Sequence, residues 1–392
     1  MTSIHHYGTF DVDNYGDLLF PKILEWRLTP HFIEHISPTN AKSIFIDSSP
    51  SRYSPTHKPI ATITGGGNIL HFRGTSLPFY SACSKMAYPR LVIEPAVIAS
   101  EHKIPYIINS PSIASKTLNP LEKMILSRIL ESADYISFRD SRSADRAAAL
   151  TKNIVNVVPD TAFDISRMWP ELKREHEDPS GYAVFHINSR YGGAPEEIAS
   201  AISNFSCKTK LSVVLLPIGP CHGDIEYSQQ ISKIASVPCE VFGNFELRGF
   251  AELLANAEIY IGSSMHGFIT AASYSVPCAL VLNKNYMAKF EGVLESLGLG
   301  NDRIFYSWES ATADAFTLGA PNPEGLSEIF ERLDVHWNTI NSIINGVTKK
   351  KELSTSFIYS FFSVSSNMEL GKRAFINHVK KVVPEFVKRA YK

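Results

Sequence analysis

Short apolar runs alternate with longer helical stretches along most of the chain, and this alternation restricts the fold more than any other feature. The runs 60–64 (IATIT), 105–109 (PYIIN) and 134–138 (DYISF) have the length of strands, and stretches of helical periodicity lie between such runs. This order is typical of βαβ units, in which consecutive strands are parallel and helices cover the sheet. The sequence therefore predicts an α/β fold with parallel sheets.

The alternation occurs twice, on either side of the charged stretch 170–181 (PELKREHEDPSG), whose composition is typical of a linker. Before it we predict strands at 3–8, 43–47, 60–64, 91–94, 105–109, 134–138 and 154–158, and helices at 17–28, 121–132 and 141–150. After it we predict strands at 182–187, 211–218, 239–242, 258–262 and 278–282, and helices at 195–205, 224–235, 246–256, 267–275 and 286–297. We expect two doubly wound, Rossmann-like domains, 1–170 and 181–345, that face each other across a cleft.

Composition excludes several classes of protein. The formal net charge of −1 gives no electrostatic basis for binding nucleic acid, so we expect no such partner. The first ten residues (MTSIHHYGTF) contain no apolar signal segment, and no run approaches the roughly 18 apolar residues of a membrane span. We therefore expect a cytoplasmic protein. Its five cysteines form no CxxC pair, so we predict no metal site.

The stretch 259–278 (IYIGSSMHGFITAASYSVPC) contains the strongest candidate for a functional residue. His266 follows a predicted strand directly and lies where the next helix begins. Ligands of open α/β sheets bind at the carboxyl ends of strands, and helix N-termini favour anions. An imidazole beside an anion site is suited to acid–base catalysis, although a purely structural histidine is the alternative.

Two loops in the first half have the composition of cleft-lining segments. Asn14 and Asp17 in the stretch 9–24 (TFDVDNYGDLLFPKIL) either cap a helix or contact a ligand. The stretch 64–71 (TGGGNILH) follows a strand, and its glycines permit close approach of a ligand, although no P-loop motif is present. The residues that we predict to line the cleft here are Gly65, Gly66, Gly67 and Asn68.

Charged residues also follow predicted strands. Arg139 comes after the strand at 134–138, and its planar guanidinium suits a carboxylate or a phosphate, the alternative being a surface pair with an aspartate. Asp160, after the strand at 154–158, is either a loop cap or a cleft carboxylate. Lys284 and Lys289 follow the strand at 278–282. Together with His266, these residues describe a cleft for a small anion and a hydroxylic partner.

The chain resembles the polysaccharide pyruvyltransferase family in the order and spacing of six stretches: 13–17 (DNYGD), 64–70 (TGGGNIL), 138–147 (FRDSRSADRA), 157–163 (VVPDTAF), 222–227 (HGDIEY) and 261–299. The resemblance implies a GT-B-like fold and transfer of the pyruvyl group of phosphoenolpyruvate to two sugar hydroxyls, which makes a cyclic ketal and releases phosphate. Many members have Arg two residues before the histidine, where this chain has Ser264. The chain is more similar to the branch with Met-His-Gly, and which residue replaces that Arg stays open.

The resemblance also implies roles for the candidate residues. His266 is the general acid and base, and Asp17 and Asp160 orient the acceptor or the imidazole. The residues on the donor side are Arg139, Lys289, Ser264 and Gly267. Those on the acceptor side, in the first domain, are Asn14, Gly65, Gly66, Gly67 and Asn68. Phosphoenolpyruvate is a co-substrate, no cofactor or metal is implied, and the acceptor is a lipid-linked oligosaccharide, a nucleotide sugar or a polysaccharide.

Two other functions are open from the sequence. One is a nucleotide-sugar-dependent glycosyltransferase on the same GT-B fold. The other is a non-catalytic binding protein of a polysaccharide locus, with a decayed site. Ser264 in place of Arg favours the second alternative, whereas His266, Arg139 and Lys289 argue against it.

The end of the chain, 346–392, is an aromatic and basic tail, and two interpretations of it are open. In 371–392, seven of 22 residues are Lys or Arg and only Glu385 is acidic, while apolar residues recur at near-helical spacing. This segment is either a helix packed on the first domain or a helix attracted to anionic lipid at the inner face of the membrane. On the second interpretation, the protein floats with anionic liposomes and not with neutral ones. Equal recovery from both kinds of liposome contradicts it.

Overall fold

The computed structural model describes residues 2–72, 87–113, 118–174, 181–188, 190, 193–283, 287 and 290–346. Two parallel β-sheets lie within these ranges, and helices pack on both. The α/β fold predicted from the sequence is confirmed. Lys284, Lys289 and the basic segment 371–392 lie outside the described residues.

Within the described ranges the first sheet has seven parallel strands. Their bounds are Thr2–Tyr7 (β1), Ile33–Ile36 (β2), Ser51–Arg52 (β3), Lys58–Gly65 (β4), Tyr106–Asn109 (β5), Tyr135–Phe138 (β6) and Asn156–Val157 (β7). The order across the sheet is β3-β2-β1-β4-β5-β6-β7. The direction of winding reverses between β1 and β4, which is the type of switch point at which α/β proteins bind ligands.

The second sheet repeats this plan with six strands among the described residues. They are Tyr182–His186 (β8), Ser212–Leu215 (β9), Cys239–Val241 (β10), Ile259–Gly262 (β11), Cys278–Val281 (β12) and Ile304–Phe305 (β13). Their order is β10-β9-β8-β11-β12-β13, so the switch point lies between β8 and β11. The two sheets lie within 2–157 and 182–305, consistent with the two predicted domains, whose boundaries stay predictions.

The helices that cover the sheets are Tyr15–Arg27 (α1), Ala87–His102 (α2), Pro120–Ser132 (α3), Ser141–Ala148 (α4), Ile165–Met168 (α5), Pro195–Thr209 (α6), Asp224–Ile234 (α7), Leu247–Ala255 (α8), Met265–Ser273 (α9), Glu291–Ser296 (α10), Trp308–Asp314 (α11) and Pro323–Asn345 (α12). Each of the eight predicted helices overlaps a helix of the structure, whereas α2, α5, α11 and α12 were not predicted. Polar side chains start several of them, because an N-cap oxygen accepts from N–H groups that have no partner inside the helix. Asn14 caps α1 in this way and Ser264 caps α9.

The strand predicted at 91–94 is wrong, because these residues lie inside α2. A short apolar run fits a buried strand and a buried helix equally well. Pro95 lies in the same helix and has no N–H to donate to the carbonyl of Leu91. The Thr64 hydroxyl donates to that carbonyl instead, at 3.3 Å, so a residue of β4 compensates for the proline.

The strand predicted at 43–47 is also wrong, because this segment is an irregular loop that contacts the second half of the chain. The Phe45 ring packs against Phe250, with ring centroids 5.0 Å apart, and the Ile46 N–H donates to the carbonyl of Phe245. The Asp47 carboxylate accepts from two N–H groups in the first turn of α8. The segment therefore contributes the Phe45 ring, a backbone N–H and a carboxylate to the interface between the halves, while the side chains of Ile44 and Ile46 are exposed.

The sequence did not predict β2, because polar residues occupy two of its four positions. Glu34 is buried and accepts from Ser3, Thr56 and His57. Burial raises the pKa of this carboxyl, but the hydrogen bonds outweigh that effect and lower it to about 2. A strand with a buried carboxylate has no apolar alternation, so the pattern search misses it.

The last described helix, α12, returns from the second sheet and packs against the first. Its Trp337 indole donates to the buried carboxylate of Asp164 at 2.8 Å, and Arg27 makes two hydrogen bonds to the same group. The His336 ring contacts Asn109 at 2.8 Å and the Tyr135 hydroxyl at 2.9 Å. The end of the second half is thereby fixed to the first.

Part of the predicted linker is ordered against α8. The Lys173 ammonium donates to the carbonyl of Ala255, and Asn256 bonds the backbone of Leu172 and Arg174. Residues 175–180 lie outside the described ranges. No helix in the described ranges is long and apolar enough to cross a membrane.

The buried His336 makes the stability of the fold depend on pH. Burial, with Arg27 nearby, lowers the His336 pKa from 6.5 to about 3, so between these values the unfolded chain binds one more proton. The stability is present above pH 6.5 and is lost as the pH falls toward 3. Between pH 7 and pH 5.5 we expect the free energy of unfolding to fall by about 1 kcal/mol more in the wild type than in His336→Gln, in urea titrations followed by circular dichroism.

The matched control is Val335→Gln, which places the same side chain at the neighbouring, exposed position of α12. This variant should keep the pH dependence of the wild type, because no titrating group has changed. An equal fall in all three proteins would show that His336 is not the group responsible.

Candidate functional site

A cavity of about 300 Å³ lies between the switch points of the two sheets. Its walls come from the loops after β1 and β4 on one side and after β8, β9 and β11 on the other, with Arg139 from the end of β6. Because all strands in both sheets are parallel, each sheet presents carboxyl ends and helix N-termini to this space. We refer to this cavity as the cleft.

His266 lies in the first turn of α9, in the second half, and its ring contacts the first half. The Phe20 ring of α1 meets it edge to face, with centroids 5.4 Å apart. A Cβ at Gly16 of α1 would lie 1.8 Å from its Nδ1, so only glycine leaves room for the imidazole. The ring is largely buried, with 13% of the side chain exposed, and it lines the cleft.

Asp160 lies behind the imidazole and links it to Arg139. Its Oδ2 is 2.7 Å from an Arg139 nitrogen and 3.9 Å from the His266 Nε2, and its Oδ1 accepts from the Ala162 N–H. Arg139 also donates to the Ser112 hydroxyl at 2.7 Å. Arg139 and Asp160 are 5% and 2% exposed, so solvent screens this pair little. The structure thus brings together three of the residues singled out in the sequence.

The loop before α1 forms another wall of the cleft. Asn14 lines it and also caps α1, and its contact with a ligand stays a prediction. Asp17 lines it too and accepts from the Thr9 hydroxyl at 3.2 Å. A Cβ at Gly67 would lie 3.1 Å from the Asp17 carboxylate, so the glycine loop lies directly against this aspartate.

The other predicted glycines have different surroundings. Gly67 and Asn68 line the cleft, whereas Gly65 lies against the backbone of Asn109 and Gly66 against Phe20, and neither is a lining residue. Both Gly66 and Gly67 have φ near +75°, a backbone conformation that favours glycine. The triple glycine therefore serves a tight turn as well as the cleft.

Of the two predicted donor-side residues in α9 and its cap, one lines the cleft and the other does not. Ser264 lines the cleft, but its hydroxyl accepts from the Gly267 N–H as the cap of α9. Gly267 is not a lining residue. A Cβ there would lie 2.5 Å from the Tyr260 hydroxyl, so this glycine allows α9 to pack on β11. The donor-binding role of both residues stays a prediction.

A group of polar residues after β8 and β9 lines the cleft, and the sequence reasoning did not single it out. The group consists of His186, Asn188, Arg190, His222 and Asp224. The signal was available, because His186 lies at the end of the predicted strand 182–187 and Asn188 follows it, just as polar residues follow the strand before His266. Asp224 and His222 belong to the stretch 222–227, which we used only for the family resemblance.

Cys221 also lines the cleft, and its surroundings disfavour the thiolate form. Burial, together with the carboxylates of Asp17, Asp224 and Asp13, raises the pKa of its thiol to about 12. A thiol with such a pKa stays protonated near neutral pH, and only the thiolate reacts readily. In the described part of the chain, no three His, Cys, Asp or Glu side chains are grouped as metal ligands. A reaction without a metal stays a prediction.

The chain matches a known protein family over most of its length. The model of the polysaccharide pyruvyl transferase family matches residues 14–285, more than half of the sequence. The chain belongs to the polysaccharide pyruvyl transferase family. It is therefore a transferase, and the resemblance indicated by the six sequence stretches is confirmed. No curated protein sequence matches the chain significantly.

Solved structures share the fold at low sequence identity. The S. aureus MnaA structure with UDP is 12% identical with a TM-score of 0.51, over 94% of this chain and 98% of that one. The UDP-GlcNAc 2-epimerase of Methanocaldococcus jannaschii is 13% identical with a TM-score of 0.51, over 85% and 99%. Anabaena HepE with UDP-glucose is 11% identical with a TM-score of 0.50, over 88% and 98%. These likenesses confirm the two-domain, GT-B-like fold.

The contact between Gly16 and His266 predicts a loss of activity from one added methyl group. In Gly16→Ala the new Cβ displaces the imidazole, and a displacement of about 1 Å in a reacting group costs on the order of 100-fold in rate. We therefore expect pyruvyltransferase activity to fall about 100-fold in Gly16→Ala.

The control is Gly249→Ala in α8, where the nearest atom to a new Cβ is the end of the flexible Asn244 side chain, 3.0 Å away. It should keep the wild-type activity, and thermal unfolding should show that both variants are folded. Wild-type activity in Gly16→Ala would show that turnover does not depend on the position of the His266 imidazole against α1.

Proposed function

We propose that this transferase moves the pyruvyl group of phosphoenolpyruvate, as a ketal, onto a sugar residue of a surface polysaccharide or its precursor and releases phosphate. The observation that carries the proposal is the imidazole of His266 in the same small cleft as Arg139, with the Asp160 carboxylate between them. A cleft of about 300 Å³ suits a small anionic donor and part of a sugar. Membership of the family supports the choice of reaction.

In the first step of this reaction His266, as the imidazolium, donates its proton to the methylene carbon C3 of phosphoenolpyruvate. The carbon C2 then becomes electrophilic, and the oxygen of a sugar hydroxyl forms a bond to it. The hydroxyl proton passes to the imidazole, which is thereby ready for another transfer. A group with a pKa near neutral pH serves both directions, and such catalysis contributes typically 10²–10⁴-fold to a rate.

In the second step the bond between C2 and the phosphate oxygen breaks, and a second sugar hydroxyl forms the other bond to C2. The proton of that hydroxyl leaves with the phosphate. The product is a ketal with a methyl and a carboxylate group, and one proton has gone to C3 and one to phosphate. Charge develops on the leaving phosphate, so fixed cations and N–H groups aimed at it lower the barrier.

Asp160 and Asp17 have separate tasks in this scheme. Asp160 is almost fully buried between His266 and Arg139, which suits it to stabilising the imidazolium rather than to touching the acceptor. Asp17 lines the cleft from the first domain, and together with Asn14 and Asn68 it offers hydrogen-bond partners to sugar hydroxyls. Lys289 as a further donor-binding cation stays a prediction, because it lies outside the described residues.

The deciding experiment measures phosphate release from phosphoenolpyruvate, with and without a cell fraction rich in lipid-linked sugars. The wild type should release phosphate only with that fraction, and His266→Ala should lose at least about 100-fold of this rate. His102→Ala is the matched control, because His102 is an exposed residue at the end of α2, outside the cleft. It should retain the wild-type rate.

Thermal shifts distinguish the proposed function from a nucleotide-sugar-dependent glycosyltransferase. That alternative is raised by the similar solved structures that contain UDP or UDP-glucose. We expect phosphoenolpyruvate to raise the melting temperature and UDP or GDP to leave it unchanged, since a ligand stabilises only the state that it binds. A shift with UDP and none with phosphoenolpyruvate would overturn the donor. Wild-type turnover in His266→Ala would overturn the role of the histidine.

A further inference from the structure

Two arginines line the cleft among the described residues, and their surroundings differ. The guanidinium of Arg139 is buried and already bonded to the Asp160 carboxylate and the Ser112 hydroxyl. Arg190 is exposed to the cleft, and no carboxylate of the described ranges lies within 4.0 Å of its guanidinium nitrogens. The positive charge of Arg190 is thus the one that a bound anion could neutralise.

The backbone and side chain of Arg190 are both held in place. Its N–H donates to the Asn188 side-chain oxygen at 2.9 Å, and a guanidinium nitrogen lies 3.0 Å from Nδ1 of His222. A guanidinium has no acceptor atom, so in this contact Arg190 donates and the His222 nitrogen accepts. This contact orients the planar group without cancelling its charge.

Asp224 fixes the loops that carry this arginine. Its carboxylate accepts from Nε2 of His186 at 2.9 Å, from Nδ2 of Asn188 at 2.7 Å and from the Gly219 N–H at 2.7 Å. The residue is 1% exposed, and a buried carboxylate with three donors holds its neighbours firmly. Asn188 therefore links Asp224 on one side to the Arg190 backbone on the other.

Two polar atoms of the same wall have no hydrogen-bond partner among the residues that the structure describes. They are Nδ1 of His186 and the Ser263 hydroxyl, on side chains of residues that are 3% and 2% exposed and line the cleft. Their strands are neighbours, because the Ser263 N–H donates to the carbonyl of His186 at 3.2 Å. Buried polar groups in native proteins are nearly always bonded, so two such atoms on residues that line the same cleft as Arg190 indicate a place for a ligand.

We infer that Arg190, together with His186 and Ser263, binds the anionic phosphate of the donor. This inference rests on the proposed function, since it takes phosphoenolpyruvate as that donor. Arg190 would then take the place of the arginine that many family members have at position 264. The two positions follow neighbouring strands, because β8 pairs with β11 and His186 lies opposite Gly262. Arg139 then remains with Asp160 behind the imidazole, and Arg190 receives the charge that develops on the leaving phosphate.

The test is isothermal titration of the full chain with phosphoenolpyruvate and, separately, with inorganic phosphate. Arg190→Gln should weaken the binding of both ligands by about tenfold or more, because the charge-assisted, bidentate hydrogen bonds from the guanidinium to the phosphate are lost. Arg190→Lys should lie between it and the wild type, because lysine keeps the charge and not the planar fork. The control is Arg128→Gln on the exposed face of α3, which should bind as the wild type does.

Ser263→Ala is a second, independent variant, because it removes a hydroxyl and leaves every charge in place. It should weaken phosphate binding several-fold without lowering the melting temperature, since the hydroxyl has no described partner in the protein to lose. A lower melting temperature with unchanged binding would show that the hydroxyl serves the fold and not the ligand.

The outcomes separate the inference from the function on which it rests. Binding of phosphoenolpyruvate by the wild type and equally well by Arg190→Gln overturns the inference and leaves the proposed function intact. If the wild type binds phosphate but not phosphoenolpyruvate, and Arg190→Gln weakens the binding of phosphate, the anion site is supported. The same result overturns phosphoenolpyruvate as the donor. If the wild type binds neither, the inference and the donor both fall.

Discussion

The contact between the start of α1 and the second sheet is the constraint on which the rest of the site depends. The Tyr15 N–H donates to the carbonyl of Ile218 at 2.9 Å, and the Cys221 N–H donates to that of Asp13 at 3.1 Å. The buried Tyr15 ring stacks on Phe250, and its hydroxyl bonds that of Thr270 in α9. These contacts connect the halves beside the cleft, so they set its width and place the first-domain loop against His266.

The cleft residues come from both halves of the chain, so their arrangement depends on the association of the two halves. The imidazole belongs to the second half, whereas Asp160, Arg139 and the pocket that holds the ring belong to the first. His186, Asn188 and Arg190, which line the cleft from the end of β8, belong to the second half again. On the proposed function, neither half contains all of the acid–base and anion-binding residues, so a cleft that opened would separate the imidazole of His266 from the carboxylate of Asp160. Helix α12 and the loop at 43–47 strengthen the same association from other sides.

The success and failure of the sequence predictions have identifiable causes. The alternation of strands and helices was predicted well, because parallel strands that are buried between two layers of helices consist of short, nearly continuous apolar runs. The segment 91–94 was predicted wrongly, because a short apolar run fits a buried helix as well as a strand. The segment 43–47 was predicted wrongly, because only Phe45 of its apolar residues is buried, whereas Ile44 and Ile46 are exposed. At the cleft, the sequence indicated His266, Arg139 and Asp160 because each follows a strand, and the structure places them close together. Their roles stay predictions. His186 and Arg190 follow a strand too, but nothing local distinguishes them from solvated loop residues.

The sequence by itself determined the α/β class, the two doubly wound halves and the family, since these depend on periodicity and on motif order along the chain. Only the tertiary structure decided which polar side chains share the cleft, that Arg139 is committed to Asp160, and that Gly16 makes room for His266. The reason is physical: periodicity is a local property, whereas these contacts join residues more than twenty and up to 250 positions apart. Arg139 and Asp160 are neighbours because β6 and β7 pair in the first sheet, and Gly16 and His266 are neighbours because the two halves pack against each other.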